Sequence, residues 1–292
     1  MGFTSTDDFV NEVTNNGKFW RADWNKITGT ASAYAAGRWY DLSLLNGTPI
    51  ANTYSGSALA AVAPSDSSGF GIYHGGNVST DTKHLVNIGA YSGVATAVPG
   101  VLMLVDMCLY YPGIVTTSAS VQNLTNSTSL SRYTDGAGLR AFFVMTTAAG
   151  ANTPTVQISY TNQAGTASRT LPVTTALTAS AIVGHISHSG TAANNYGPFL
   201  PLASGDTGIR SVQSLTITTP SATSGTGALV LCRPLATLPI TTVSVAAERD
   251  LMNQLPSLPQ IKDGACLTWL YFAGAATATS TNIYGYLDAA WG

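Results

Sequence analysis

Few side chains in this chain of 292 residues are equipped for chemistry, and their spacing decides what they could do. There are four histidines, three cysteines and a lone acid, Asp106, set in the most apolar run, Val98 to Tyr111. His185-Ile186-Ser187-His188 is the closest histidine pair. Two imidazoles at this spacing share a metal on a helix or turn, but on a strand they point to opposite faces. No acid or cysteine stands beside them, so no metal site is expected. His74 and His84 flank Asp81 across the string GGNVSTDTK. A His–Asp dyad is defined by geometry rather than by closeness in sequence, and a loop histidine bonded to backbone is the expectation here. Asp106 lies between Val105 and Met107, where an unpartnered carboxylate is costly. Carboxylate catalysis generally uses a second acid, and none is near. The expected partner is backbone or an arginine, such as Arg132 or Arg140.

Cys108, Cys232 and Cys266 all sit in apolar strings. Their odd number and setting point to buried free thiols in a reducing cytoplasm. There is no G-x-S-x-G nucleophile elbow and no P-loop. Gly69, Gly71, Gly75 and Gly76 miss the dinucleotide register and are expected to supply positive φ and close backbone packing. The chain is therefore read as having no catalytic, cofactor-binding or metal-binding residues, and as not an enzyme.

The elements around these residues are mostly strands. Thr4 to Asn16 predicts a helix, with Phe9, Val10 and Val13 on one face, Thr4, Ser5 and Thr6 as candidate caps, and Asp7 and Asp8 in the first turn. Phe3 would pack at its start and Gly17 would end it. Lys18–Ile27 and Gly37–Leu42 read as strands flanking a small-residue turn, Gly29 to Ala36. Their aromatics lie beside Arg21, Lys26 and Arg38, a mixture that can bind nucleic acid. Anchors in a core or subunit interface are the preferred reading. Val98 to Tyr111 continues to Ile114 as a buried strand pair bent at Pro99 and Pro112. Further strands are expected at Leu139–Thr147, Thr155–Thr161, Thr166–Val173, Ala181–His185, Phe199–Leu202, Ser211–Thr218, Ala228–Arg233, Leu267–Ala273 and in the tail 282–291. Period-two alternation is clearest in Val156, Ile158 and Tyr160 against Gln157, Ser159 and Thr161, and Asn162–Gly165 reads as a hairpin loop. Glu248–Gln254 reads as one or two helical turns. Short strands, turn residues and little helix predict an all-β, sandwich or jelly-roll-like fold with a short N-terminal helix. A single β-rich domain over 1–292 is expected, with a candidate sub-boundary at 115–135.

Only 9% of residues are charged and 45% are hydrophobic, with 12 basic and 14 acidic side chains. About 25% charge is usual in globular domains. Such a surface suits burial against other subunits, because interface cores are depleted in Lys, Glu and Asp. The arginines are scattered, so direct nucleic-acid binding through phosphates is not expected. No secretory signal and no membrane span is read: Pro99, Asp106 and Pro112 interrupt the apolar run.

The strings FTSTDDFVNEVTNNGKFWRADWNK, GFGIYHGGN, VPGVLMLVDMCLYYPG, ISYTNQAG and NNYGPFLPLASGDTG resemble a family of tailed-bacteriophage virion structural proteins. The resemblance covers nearly the whole chain and implies no catalytic residues. It implies synthesis in a bacterial cytoplasm and incorporation into the virion. The function expected from it is that of a capsid decoration or cement protein, bridging capsomers on the head. A shell protein, a tail or fibre component and a glycan-binding module are the alternatives. Its partners would be itself, as a homo-oligomer such as a trimer, and other capsid proteins. Phe9, Val10, Trp20, Trp24 and Trp39 are the candidate interface anchors.

Overall fold

The structure, a computed structural model, describes residues 2–28, 32–187, 197–254 and 258–292. The chain begins with helix α1 (Thr6–Thr14) and strands β1 (Phe19–Thr28), β2 (Arg38–Asp41), β3 (Gly47–Thr48), β4 (Lys83–Tyr91) and β5 (Gly100–Val115). It continues with β6 (Gln122–Asn123), β7 (Arg140–Thr147), β8 (Thr155–Asn162), β9 (Arg169–Thr170), β10 (Thr175–Ala176) and β11 (Ile209–Ile217). It ends with β12 (Thr226–Ile240), β13 (Ala247–Asp250), the single turn α2 (Leu251–Gln254), β14 (Leu267–Ala273) and β15 (Thr281–Trp291). The all-β, sandwich-like architecture with an N-terminal helix is what these elements build.

The strands form three antiparallel sheets. A central sheet runs β2-β14-β5-β12-β7. One flanking sheet runs β13-β4-β15-β1-β3, and the other β10-β8-β11-β6 with β9 also on β8. β5 and β12 are long enough to serve both flanks. Cys108 has no opposite number in β12, because Leu109 pairs with Leu231 and Met107 with Cys232. Leu235 is the corresponding extra residue in β12. An extra residue switches which face the following side chains occupy. Leu102 and Leu104 therefore face the same side as Leu109 and Tyr111. The first pair packs with Trp24, Leu85, Ile88, Trp269 and Leu287 under the first flanking sheet. The second packs with Phe143, Ile158, Tyr160, Val212 and Leu215 under the other. The opposite face, with Val105, Met107, Val230 and Leu270, is covered by loop residues including Tyr54, Phe70 and Ile186.

Several local expectations are met for the reasons given. Ser5 caps α1, its Oγ accepting the Asp8 amide at 3.0 Å. Gly17, at φ 65°, turns the chain so that the Lys18 amide donates to the Glu12 carbonyl at 2.9 Å. None of the helix is fully buried, and Phe9 rests edge-on against Phe3 at 4.9 Å. Other expectations need correction. The apolar run is one strand of 16 residues rather than a bent pair. Pro112 fits because it sits at a shift in register, between the pairs Leu229–Tyr111 and Gly227–Ile114. β12 runs past Arg233 through Pro234 and Pro239, where β7 no longer pairs with it and an unpaired side tolerates missing donors. Thr166–Val173 contributes only the two residues of β9. Ala181–His185 and Phe199–Leu202 are loop rather than strand. Glu248–Asp250 belongs to β13 rather than to a helix, and β4 has no counterpart in the sequence reading.

Candidate functional site

Asp106 lies where the two sandwiches meet, on the strand segment shared by both. It is fully buried and bound by Arg132 through Nε to Oδ2 at 3.0 Å and Nη2 to Oδ1 at 2.9 Å. The Cys266 amide donates to Oδ1 at 3.0 Å. Arg132 also donates to the Met107 carbonyl at 2.9 Å and the Pro64 carbonyl at 3.3 Å. Of the two arginines anticipated, Arg132 is the partner. A planar guanidinium satisfies a carboxylate bidentately, which leaves this acid tied into the fold on both oxygens.

The histidines of the glycine loop are also held by the fold. Lys83, only 1% exposed, donates to His74 Nδ1 at 3.0 Å, to the His74 carbonyl at 3.0 Å and to the Gly76 carbonyl. An ammonium can only donate, so Nδ1 accepts and Nε2 carries the proton given to the Ala265 carbonyl at 3.2 Å. Burial and the Lys83 charge hold His74 below the usual histidine range. Burial brings Lys83 down to about 8, against the opposing pull of Asp263 and Asp66. His84 turns away from Asp81 toward the Leu258 carbonyl at 3.4 Å, while Asp81 meets Lys18 at 2.9 Å. No His84–Asp81 dyad forms. As expected, Gly69, Gly75 and Gly76 have positive φ, and a Cβ on Gly75 would lie 2.9 Å from Trp20 Cβ.

A second buried polar cluster went unnoticed in the sequence. Asp41 accepts from the Ser43 amide at 2.8 Å, Ser43 Oγ at 2.9 Å and the Tyr54 hydroxyl at 2.5 Å. Nearby Lys26 donates to the Leu45 carbonyl at 3.1 Å and the Pro49 carbonyl at 2.7 Å. Burial raises Asp41 above the carboxylate range and lowers Lys26 to about 8. The available signal was alternation: Trp24, Lys26 and Thr28 share the inward face of β1.

Cys108, Cys232 and Cys266 are buried free thiols, and burial raises all three above the ordinary thiol range. His185 is buried, with Nδ1 3.4 Å from Thr178 Oγ1. His188 lies outside the described residues, so the histidine pair is not placed. Among the described residues no three His, Cys, Asp or Glu side chains group as a metal site.

The five candidate anchors separate. Trp24 is 3% exposed and packs on Trp269 at 5.2 Å, so its surface is already covered by its own core and is not offered to a neighbour. Trp39 is partly buried against Phe272 at 5.4 Å. Phe9 is half-buried, while Val10 and Trp20 are exposed. Trp20 donates from Nε1 to the Tyr73 carbonyl at 3.1 Å and meets the exposed Tyr73 ring edge-on at 5.2 Å. This pair stands at one end of an open groove of about 330 Å³. Along the outer face of the same sheet, Tyr91 stacks on Tyr284 at 5.3 Å and Arg21 lies over Tyr286 at 4.3 Å. Arg21 is fixed by Asp288 at 2.7 and 2.6 Å. Of the basic residues beside these aromatics, Arg21 is paired with Asp288 and Lys26 is buried. In comparison with known proteins, the chain matches no family model, no curated protein and no solved structure.

Proposed function

We propose that this chain is a structural subunit that works by associating with other proteins through its surface, as a capsid decoration or cement protein of a virion does. The observation that carries the reading is where the reactive groups lie. Asp106, Arg132, His74, Lys83, Asp41 and Lys26 are buried and satisfied by one another, by backbone or, for Asp41, by the Ser43 and Tyr54 hydroxyls as well. The exposed surface instead presents aromatic and apolar side chains, among them Val10, Phe19, Trp20, Tyr73 and Tyr91. With only 9% of the chain charged, little opposes contact between such surfaces. The resemblance to tailed-phage virion proteins supports a particle as the setting. The mechanism is passive: a ligand selective for the assembled state raises the free energy of rupture.

Native mass spectrometry of the purified chain, alone and with isolated heads, tests this. Defined oligomers and stoichiometric binding to heads are expected; a monomer that binds no particle overturns the reading. Particles made without the chain separate decoration from shell. Heads that assemble but rupture at lower temperature fit decoration, whereas the absence of heads would make it the shell.

A further inference from the structure

β1 is bonded to β15 along its whole length on one side. On the other side, only Asn25 and Lys26 have a strand neighbour, β3. Successive residues of a strand direct their N–H and C=O groups to alternate sides. The sides can be assigned from bonds at the ends of β1. The Ile27 amide donates toward β3, to the Asn46 carbonyl at 3.0 Å. The Lys18 and Thr28 carbonyls accept on the β15 side, from Trp291 at 3.2 Å and Ser280 at 2.9 Å. No shift in register interrupts the β1–β15 ladder. Even-numbered residues therefore serve β15, and Arg21 and Asp23 aim their backbone groups at the side where β3 is absent. Among the described residues, no backbone or side-chain group bonds to them there.

That open side is the groove of about 330 Å³. One wall is Trp20 to Asp23, and the facing loop supplies Asp66, Gly71 and Tyr73. The Trp20–Tyr73 bond joins the walls at one end, and Thr48 and Pro49, following the line of β3, bound the other. Four residues of strand extend about 13 Å. Arg21 is paired with Asp288, whereas Asp23 and Asp66 form no salt bridge among the described residues. The cation nearest in effect is Arg21 for Asp23 and the buried Lys83 for Asp66. The groove is thus acidic, with aromatic rings at one end.

We propose that this groove accepts an extended, basic segment of a partner protein, which adds to β1 as a strand and pairs with the backbone of Arg21 and Asp23. Strand addition takes its affinity from main-chain bonds and its selectivity from the alternate side chains. Here a lysine or arginine of the partner would meet Asp23 and Asp66. The chain's own basic side chains are few and mostly held within its fold, which argues for a different protein as donor. The proposal rests on the reading that the chain acts by association and names one contact through which it does so.

The test is amide hydrogen exchange on the full chain with a capped hexapeptide alternating valine and lysine as the probe. Saturating probe is expected to slow exchange at Arg21 and Asp23 by about tenfold or more, leaving the amides paired with β15 unchanged. A hexapeptide alternating valine and glutamate is expected to give no protection. Asp23→Lys keeps the backbone and is expected to weaken the probe by about tenfold. Asp23→Pro removes a donor that the fold does not use, and is expected to abolish binding while leaving the unfolding midpoint close to wild type. No protection by the lysine probe overturns the proposal, as does equal protection by both peptides. Protection that grows with protein concentration alone would assign the groove to a second copy and overturn it too. So would oligosaccharides that perturb Trp20 and Tyr73 without protecting the amides. If the chain joins particles while these amides exchange unchanged, the groove proposal fails and the assembly reading stands. If the probe binds but no association with particles is found, the assembly reading fails alone.

Discussion

The two sandwiches share β5 and β12 but solve their interiors differently. Under the sheet of β6, β8, β9, β10 and β11 the core is mostly aliphatic and aromatic, and the polar residues Gln157, Ser159 and Thr161 of β8 alternate outward. The buried polar residues of this sheet are uncharged, among them Asn162 and Thr175. Its outermost strands, β6 and β10, have two residues each, and side chains take up the edge of β11 that β6 leaves. Asn126 donates to the Val212 carbonyl at 2.9 Å, and the Val212 amide donates to the Tyr111 hydroxyl at 3.2 Å. Under the sheet of β1, β3, β4, β13 and β15, Lys26, Lys83 and His74 are buried, and β1 keeps an open side. Short edges and charged side chains both discourage stray pairing. The first sandwich closes its edge with side chains. The second leaves a strand edge beside Asp23 and Asp66, which is protection against most chains and selectivity toward a basic one.

The most severe way to break this comparison is at the residue both halves share. Asp106→Ala leaves Arg132 buried without its counter-charge and is expected to cost about 3–5 kcal/mol in urea unfolding. A double variant, Asp106→Leu with Arg132→Met, should recover much of that loss. Next come truncations of each core. Trp24→Ala on one side is expected to cost about 3–5 kcal/mol, and Ile158→Ala on the other about 2–5 kcal/mol. Because β5 and β12 pass through both, each variant should shift one common transition, seen alike by tryptophan fluorescence and far-ultraviolet dichroism.

The pH dependence separates the halves more finely. Folded Lys26 and Lys83 release protons near 8, below the ordinary lysine value of 10.5. Between these values the unfolded chain binds more protons, so stability rises with pH, by up to about 1.4 kcal/mol per pH unit for each lysine. The three buried thiols act the other way, because the unfolded chain's thiols ionise near about 8.5 while burial keeps the folded ones protonated. The lysine effect is therefore read as a difference: the stability gap between wild type and Lys26→Met should shift in favour of wild type from about pH 8 to about 9.5. Burial lowers both His74 and His84. The unfolded chain takes up their protons first, so stability should fall as pH drops below about 6.5. His74→Gln, which keeps a donor and an acceptor, should lessen that fall. The smallest effect belongs to the helix. Ser5→Ala removes a cap worth about 1 kcal/mol. With no helix residue fully buried, it should speed amide exchange within Thr6–Thr14 and leave the global midpoint nearly unchanged.

Local chemistry was legible where one stretch of chain decides its own shape. The alternation of Val156, Ile158 and Tyr160, the Ser5 cap, and the strand Leu267–Ala273 could be read directly. β12 was cut short because Pro234 and Pro239 look like strand breakers until the missing neighbour is known. β4 was missed because Lys83, His84 and Asn87 interrupt its apolar pattern, although Lys83 is satisfied by a loop it cannot name in advance. The pairing of Phe19 with Ala290 lies almost a chain length away. The groove is harder still: an absent neighbour leaves no mark in the local sequence, and only the completed sheet reveals that the backbone of Arg21 and Asp23 on the β3 side has no bonding partner among the described residues.

The long β5–β12 ladder has a mechanical consequence. Pulled along the strands, its many bonds bear the load together; peeled from one end, they give way in turn. The protein should therefore be stiffest along the axis joining its two sandwiches and weakest across it. For a subunit that tied neighbours together, the direction of attachment would matter as much as its strength.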